Sequence, residues 1–251
     1  MALLFIPLAV LAQILGLTTV ALISVWMIKY LDGFAWDGSS QQFNLHPFLM
    51  VIGLIYFYGN AIIIYRITSG LNVPRLAVKL AHFILQLCAF ICSIIALVAV
   101  FQFHNANQIP NMYSMHSWAG IATVVMFGLQ LLFGFLIFLF PKLPERYRTL
   151  YMSSHIFFGV FILGLAGATV LMGIGEKLAF AGSTLNTEAI LGNVAGLTTI
   201  AFTCIIAYII YKPDYYADRS LTSCKMFCTG VQSNQDPLVT KKGCNSDTLN
   251  A

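Results

Sequence analysis

The chain is poor in charge. Of its 251 residues only 9% are Asp, Glu, Lys or Arg, against about 25% in a soluble globular domain. That deficit excludes an ordinary water-soluble fold and a charged disordered chain. It also lacks the marks of several chemistries. There is no His-Glu-x-x-His and no Cys-x-x-Cys, so no zinc motif is offered. No Asn-x-Ser/Thr sequon occurs. The first apolar run has no basic stretch before it and no convincing cleavage site, so it reads as a retained helix rather than a leader. A net charge of +4 on a chain that is 59% hydrophobic is no footprint for nucleic acid.

What is present is long apolar runs. Six of them, at roughly 2–27, 45–65, 78–102, 115–140, 151–174 and 189–211, meet the about 20 residues needed to cross a bilayer. Turn formers and most charges lie between them, as at Asp37-Gly38-Ser39-Ser40, Asn72-Val73-Pro74 and Pro141 to Arg148. The expected fold is an all-α membrane protein of six transmembrane helices over residues 1–213. Residues 214–251 are polar and read as a disordered cytoplasmic tail.

Charge sets the direction. Eleven Lys and Arg residues fall on one side: Arg66, Arg75, Lys79, Lys142, Arg146, Arg148, Lys212, Arg219, Lys225, Lys241 and Lys242. Only Lys29 and Lys177 fall on the other. The positive-inside rule then places both termini in the cytoplasm, although Lys29 opposes this locally. All six cysteines lie in spans or in the tail, so no disulfide is expected on the outer side. Cys224 and Cys228 could carry palmitate or remain plain thiols.

Four of the five histidines lie in or beside spans. His46 opens the second, His82 lies near the start of the third, His116 opens the fourth and His155 lies near the start of the fifth. Because successive helices alternate in direction, His46 and His116 share the outer depth and His82 and His155 the inner. Ionisable groups at membrane depth are costly and mark function. Two histidines per cluster are too few for structural zinc. They suit a planar macrocycle that brings four nitrogens of its own and takes an imidazole above and below a haem iron. With both axial positions filled, such a centre carries single electrons. Pairs near the two faces lie on the order of 20 Å apart at about 1.5 Å per residue, close enough for an electron to cross the membrane between them.

The stretches Phe43-Asn44-Leu45-His46-Pro47, Ile64-Tyr65-Arg66, Lys79-Leu80-Ala81-His82, Tyr113-Ser114-Met115-His116-Ser117-Trp118 and His155-Ile156-Phe157-Phe158-Gly159 together resemble the cytochrome b561 family. The similarity covers about 15–213. It is most like the duodenal, plasma-membrane ferric reductase branch, with the lysosomal branch close behind. The resemblance implies six helices whose inner four form a di-haem bundle with two haem b groups, usually in a homodimer. It implies oxidation of cytoplasmic ascorbate and reduction of ferric or cupric ion, or of the monodehydroascorbate radical, on the far side. The host membrane would be the plasma membrane, or an endosomal, lysosomal or vesicle membrane.

The resemblance also suggests roles. His46, His116, His82 and His155 would be axial ligands. Arg66 would bind a haem propionate, and Asn111, Met112, Tyr113, Ser114 and Glu176 would contact the outer haem. Arg75, Lys79 and Arg148 would hold ascorbate, Arg75 standing where the resembling branch commonly has lysine. His104, beside Asn105 and Asn107, would receive Fe³⁺. Relatives often carry a basic residue soon after the last span. Here Lys212-Pro213 is followed by Asp214, Tyr215 and Tyr216, so that contact is not carried over. The competing reading is a non-redox transporter, but the chain shows little Gly/Pro-broken inverted symmetry and only a faint parallel repeat of helices two and three against four and five.

Overall fold

A computed structural model describes residues 2–69, 71–182 and 186–212. The expected tail, with Cys224 and Cys228, lies outside the described residues. Among the described residues, six helices are long and apolar enough to cross a membrane: α1 (Phe5–Tyr30), α2 (Ser40–Ile67), α3 (Arg75–Ala106), α4 (Met115–Leu139), α5 (Glu145–Phe180) and α6 (Thr187–Tyr211). No strand occurs among the described residues. The protein is a multi-pass membrane protein.

Several helices run further than the apolar runs. α2 begins at Ser40 rather than 45, α3 spans Arg75–Ala106 rather than 78–102, and α5 spans Glu145–Phe180 rather than 151–174. His46 therefore lies well inside α2 instead of opening it, and His155 lies almost three turns into α5. The extra turns are polar at the ends, where backbone hydrogen bonding continues past the hydrocarbon.

Local signals start the helices. Ser39 accepts a hydrogen bond from Gln41 N at 3.3 Å, Ser114 from Ser117 N at 3.3 Å and Asn186 from Ala189 N at 2.8 Å. Each cap satisfies an otherwise free N–H of a first turn. Pro74 and Pro144 precede α3 and α5, where their fixed φ suits entry and a missing N–H costs nothing. In the loop before α2, Asp37 accepts from Ser39 N at 3.0 Å, and hydrogen bonds from Ser39 hold its carboxyl below the usual range. Wider π-turns interrupt three spans, at Trp26–Tyr30, Val51–Phe57 and Phe135–Leu139.

α1 packs along α6, α2 along α3 and α4 along α5, and α6 also touches α2 and α5. Lipid tails are as apolar as Leu, so these contacts depend on close fit and polar bonds rather than water exclusion. Phe202 of α6 is fully buried, and it fits because Gly16 and Gly59 face it. A Cβ at Gly59 would stand 2.5 Å from the Phe202 ring. Gln13 donates to Asn60 at 2.7 Å, tying α1 to α2, and Thr19 donates to Thr198 at 2.8 Å, tying α1 to α6. Such bonds contribute about 0.6–2 kcal/mol each. Large apolar side chains such as Ile6, Ile84, Val125 and Leu197 remain exposed on the outside of the bundle, as lipid-facing residues do.

Candidate functional site

The four histidines meet in two pairs, as helix direction requires. His46 of α2 faces His116 of α4 with ring centres 6.0 Å apart. His82 of α3 faces His155 of α5 at 6.3 Å. An imidazole nitrogen sits about 2.0–2.1 Å from a transition-metal ion, so two rings flanking one ion have centres about 6 Å apart. Both pairs match that spacing.

Backbone carbonyls hold three of the rings. His46 Nδ1 bonds to Ala96 O at 3.3 Å, His116 Nδ1 to Thr169 O at 2.9 Å and His82 Nδ1 to Ala61 O at 2.7 Å. A carbonyl can only accept, so Nδ1 carries the proton and Nε2 is left as the metal-binding nitrogen. His155 differs: its Nδ1 is buried with no partner among the described residues. Its backbone carbonyl instead accepts from Gln130 Nε2 at 2.6 Å. Glycines leave room for two rings. A Cβ at Gly173 would lie 2.7 Å from His116 Cε1, and one at Gly134 3.1 Å from His155 Cε1. Ring spacing and a glycine beside one ring fit a metal-centred planar group at each pair, and the tautomer fits at the three rings held by carbonyls.

The same carbonyls measure the separation. Ala96, which marks the outer pair on α3, lies fourteen positions from His82, and Thr169 lies fourteen from His155 on α5. At about 1.5 Å per residue that is about 21 Å between the pairs. Tyr58 and Phe127 fill the middle, their rings 4.7 Å apart, with Phe90 6.2 Å from Phe127. The Tyr58 hydroxyl donates to Gly159 O at 2.8 Å. The faint repeat is visible here: α2 with α3, and α4 with α5, each clasp an outer histidine through the following helix.

At the inner end, Arg75, Lys79, Lys142 and Arg148 come together, with the other three cations close enough to act electrostatically on Lys79. Lys79 Nζ donates to Phe138 O at 3.5 Å, and the Phe138 ring lies 5.2 Å from His155. Arg148 Nε is buried with no partner among the described residues. Arg66 is buried at the end of α2, and its guanidinium donates to Ile210 O at 2.6 Å. Sequence reasoning singled out Arg75, Lys79 and Arg148 but not Lys142. It gave no role to Tyr65 or Tyr151, whose rings lie 5.4 Å from His82 and 5.9 Å from His155.

At the outer end the polar turn before α4 closes on α5. Ser114 Oγ donates to Glu176 Oε2 at 3.2 Å, and the Tyr113 hydroxyl lies close enough to feel the Glu176 carboxylate. Partial burial, then the Glu176 carboxylate, push the Tyr113 phenol up to about 12. Met112 adopts a left-handed φ of 59°, and its carbonyl accepts from Trp118 Nε1 at 3.0 Å. Asn111 donates to Asn105 at 2.8 Å and lies beside His104, which is within electrostatic reach of Glu176. Asn111, Met112, Tyr113, Ser114, Glu176 and His104 thus form one rim. Glu176 stands in the last turns of α5, at its outer end.

Fold and site together define a helical membrane protein with a stacked pair of histidine-flanked sites, one toward each end of the bundle. The family described as eukaryotic cytochrome b561 matches residues 45–181, and the chain belongs to it. Membership makes haem b its cofactor. The lysosomal membrane ascorbate-dependent ferrireductase of Mus musculus is 42% identical over 208 residues, covering 80% of this chain and 86% of the relative. The plasma membrane ascorbate-dependent reductase of Xenopus tropicalis is 40% identical over 220 residues, 86% of this chain and 78% of the relative. The transmembrane ascorbate-dependent reductase of Ovis aries is 40% identical over 208 residues, 81% of each chain.

Proposed function

We propose that the protein is an ascorbate-dependent transmembrane ferric reductase, an oxidoreductase that moves single electrons from cytoplasmic ascorbate to ferric or cupric ion on the extracellular or lumenal side. The observation that carries this is the stacking of two histidine pairs about 21 Å apart within one bundle. Bound haem supplies a one-electron iron couple. His46 with His116, and His82 with His155, would each hold one, giving two haem b groups per chain.

Each mouth has its own task. Ascorbate is a monoanion at neutral pH, so Arg75, Lys79 and Arg148 attract it and orient an oxygen toward the inner pair. Arg66 would neutralise a propionate at that end. At the outer end the Asn111–Ser114 turn and Glu176 would position the outer group, and His104 offers a neutral imidazole to the incoming ion. Tyr58, Phe127 and Phe90 keep the space between dry. Relatives named for the plasma and lysosomal membranes make those the candidate locations, and a homodimer is the expected assembly.

The test is reconstitution in ascorbate-loaded vesicles with a ferric chelate outside. Wild type should reduce the chelate and show two b-type haems reducible by ascorbate. His46→Ala or His116→Ala should lose the outer haem, keep the inner one and stop transfer. A variant that keeps both haems would refute the ligand assignment.

A further inference from the structure

The outer mouth contains a cation that the reading above leaves idle. Lys177, one residue past Glu176, is partly buried, with its ammonium 4.9 Å from the centre of the Phe43 ring. Phe43 lies 6.2 Å from the His46 ring and 5.4 Å from Phe103, whose ring is 5.9 Å from His104. Lys177 and His104 thus stand at two ends of one aromatic floor beside the outer histidine pair.

Among the described residues the ammonium forms no ion pair; Glu188, which accepts from Trp26 Nε1 at 2.8 Å, acts on it only through its charge. An aromatic face steadies a cation without cancelling its charge or using its hydrogen-bond donors. A half-buried lysine with no ion pair among the described residues suits a carboxylate.

We propose that Lys177 is the anion-recognising half of the acceptor site: it takes a carboxylate of a ferric polycarboxylate chelate while the chelated ion faces His104. This rests on the outer end being the acceptor side. Ferric ion is barely soluble as a free aquo ion at neutral pH, so a reductase gains from recognising the chelator as well as the metal. A haem propionate is the other carboxylate that could reach the same ammonium.

The experiment compares wild type, Lys177→Gln and Lys177→Arg in ascorbate-loaded vesicles. The acceptors are ferric citrate, which is anionic, and hexaammineruthenium(III), which is cationic. Visible spectra and redox titration of both haems are recorded for each protein. The expected result is a KM for ferric citrate raised about ten-fold in Lys177→Gln, rescued by Lys177→Arg, with the cationic acceptor unaffected or improved and both haem potentials unchanged. A shifted outer-haem potential with equal loss for both acceptors assigns Lys177 to the propionate and overturns the chelate role. An unchanged KM with unchanged potentials overturns carboxylate binding altogether. Wild type that reduces neither acceptor would sink the reductase reading itself, a different outcome from a silent Lys177→Gln.

Discussion

Gly173 lies so close to the His116 ring that a Cβ at that position would come within 2.7 Å of Cε1. A Cβ does not approach another non-bonded carbon that closely, so an alanine there must push the ring away. Gly173→Ala is expected to lose the outer haem while the inner one stays, seen as halved haem per chain and loss of one α-band component. Gly134→Ala, with 3.1 Å to His155, should weaken the inner site more mildly. Haem content unchanged in Gly173→Ala would remove His116 from the ligand set.

The two sites differ in how firmly their rings are held. Both outer histidines have carbonyl acceptors, whereas His155 Nδ1 has none among the described residues. Partners of this kind are worth about 10–100-fold in metal affinity. The inner haem should therefore leave first, about ten-fold faster, when detergent-solubilised protein is mixed with a haem scavenger. Equal release rates would show that Gln130 and the aromatic rings around His155 hold it just as well.

Lys79→Gln and Arg148→Gln should each raise the KM for ascorbate by about ten-fold or more, the value of a lost hydrogen bond to a charged group. Haem spectra should not change. The check is the rate of haem reduction against ascorbate concentration. A fall confined to kcat, with KM unchanged, would mean that these cations act after binding.

His104→Ala should lower reduction of ferric ion while leaving reduction of the monodehydroascorbate radical intact. Parallel assays with the two acceptors decide it. Equal loss in both would make His104 part of the general path rather than a metal contact.

Tyr113 provides a pH marker. Its phenol is raised from 10.0 to about 12, first by burial and then by the nearby Glu176 carboxylate, so it stays protonated at working pH. A raised value means that the neutral form is favoured in the fold. The stabilisation is complete below about pH 10 and is lost as pH climbs through about 12. The difference in tyrosinate absorbance between wild type and Tyr113→Phe should show one residue titrating late. Titration of that residue near 10 would mean that neither burial nor the Glu176 carboxylate acts on it.

Much of this was legible in the sequence because the bilayer restricts what a chain can do. Apolar runs had to be helices, and alternating direction alone paired His46 with His116 and His82 with His155. Helix ends were less legible. Hydropathy reads the hydrocarbon and not the hydrogen-bonded backbone, so the polar first turns Glu145–Leu150 of α5 and the last turns around Lys177 fell outside the apolar run. The clasps were invisible for a different reason. Ala96, Thr169 and Ala61 act through main-chain carbonyls, which any residue would offer. Lys142 and Lys177 were counted only as topology charges. Their neighbours, Lys79 in one case and Phe43 in the other, come from distant parts of the chain and only folding brings them together.

The fourteen-residue register shared by α3 and α5 acts as a ruler. Because it is set by covalent chain and helical rise, a thicker or thinner membrane alters the tilt of the bundle but not the gap an electron must jump. The length of the proposed electron path is therefore set by the polypeptide and not by its host lipids, at a cell surface as in a lysosomal membrane.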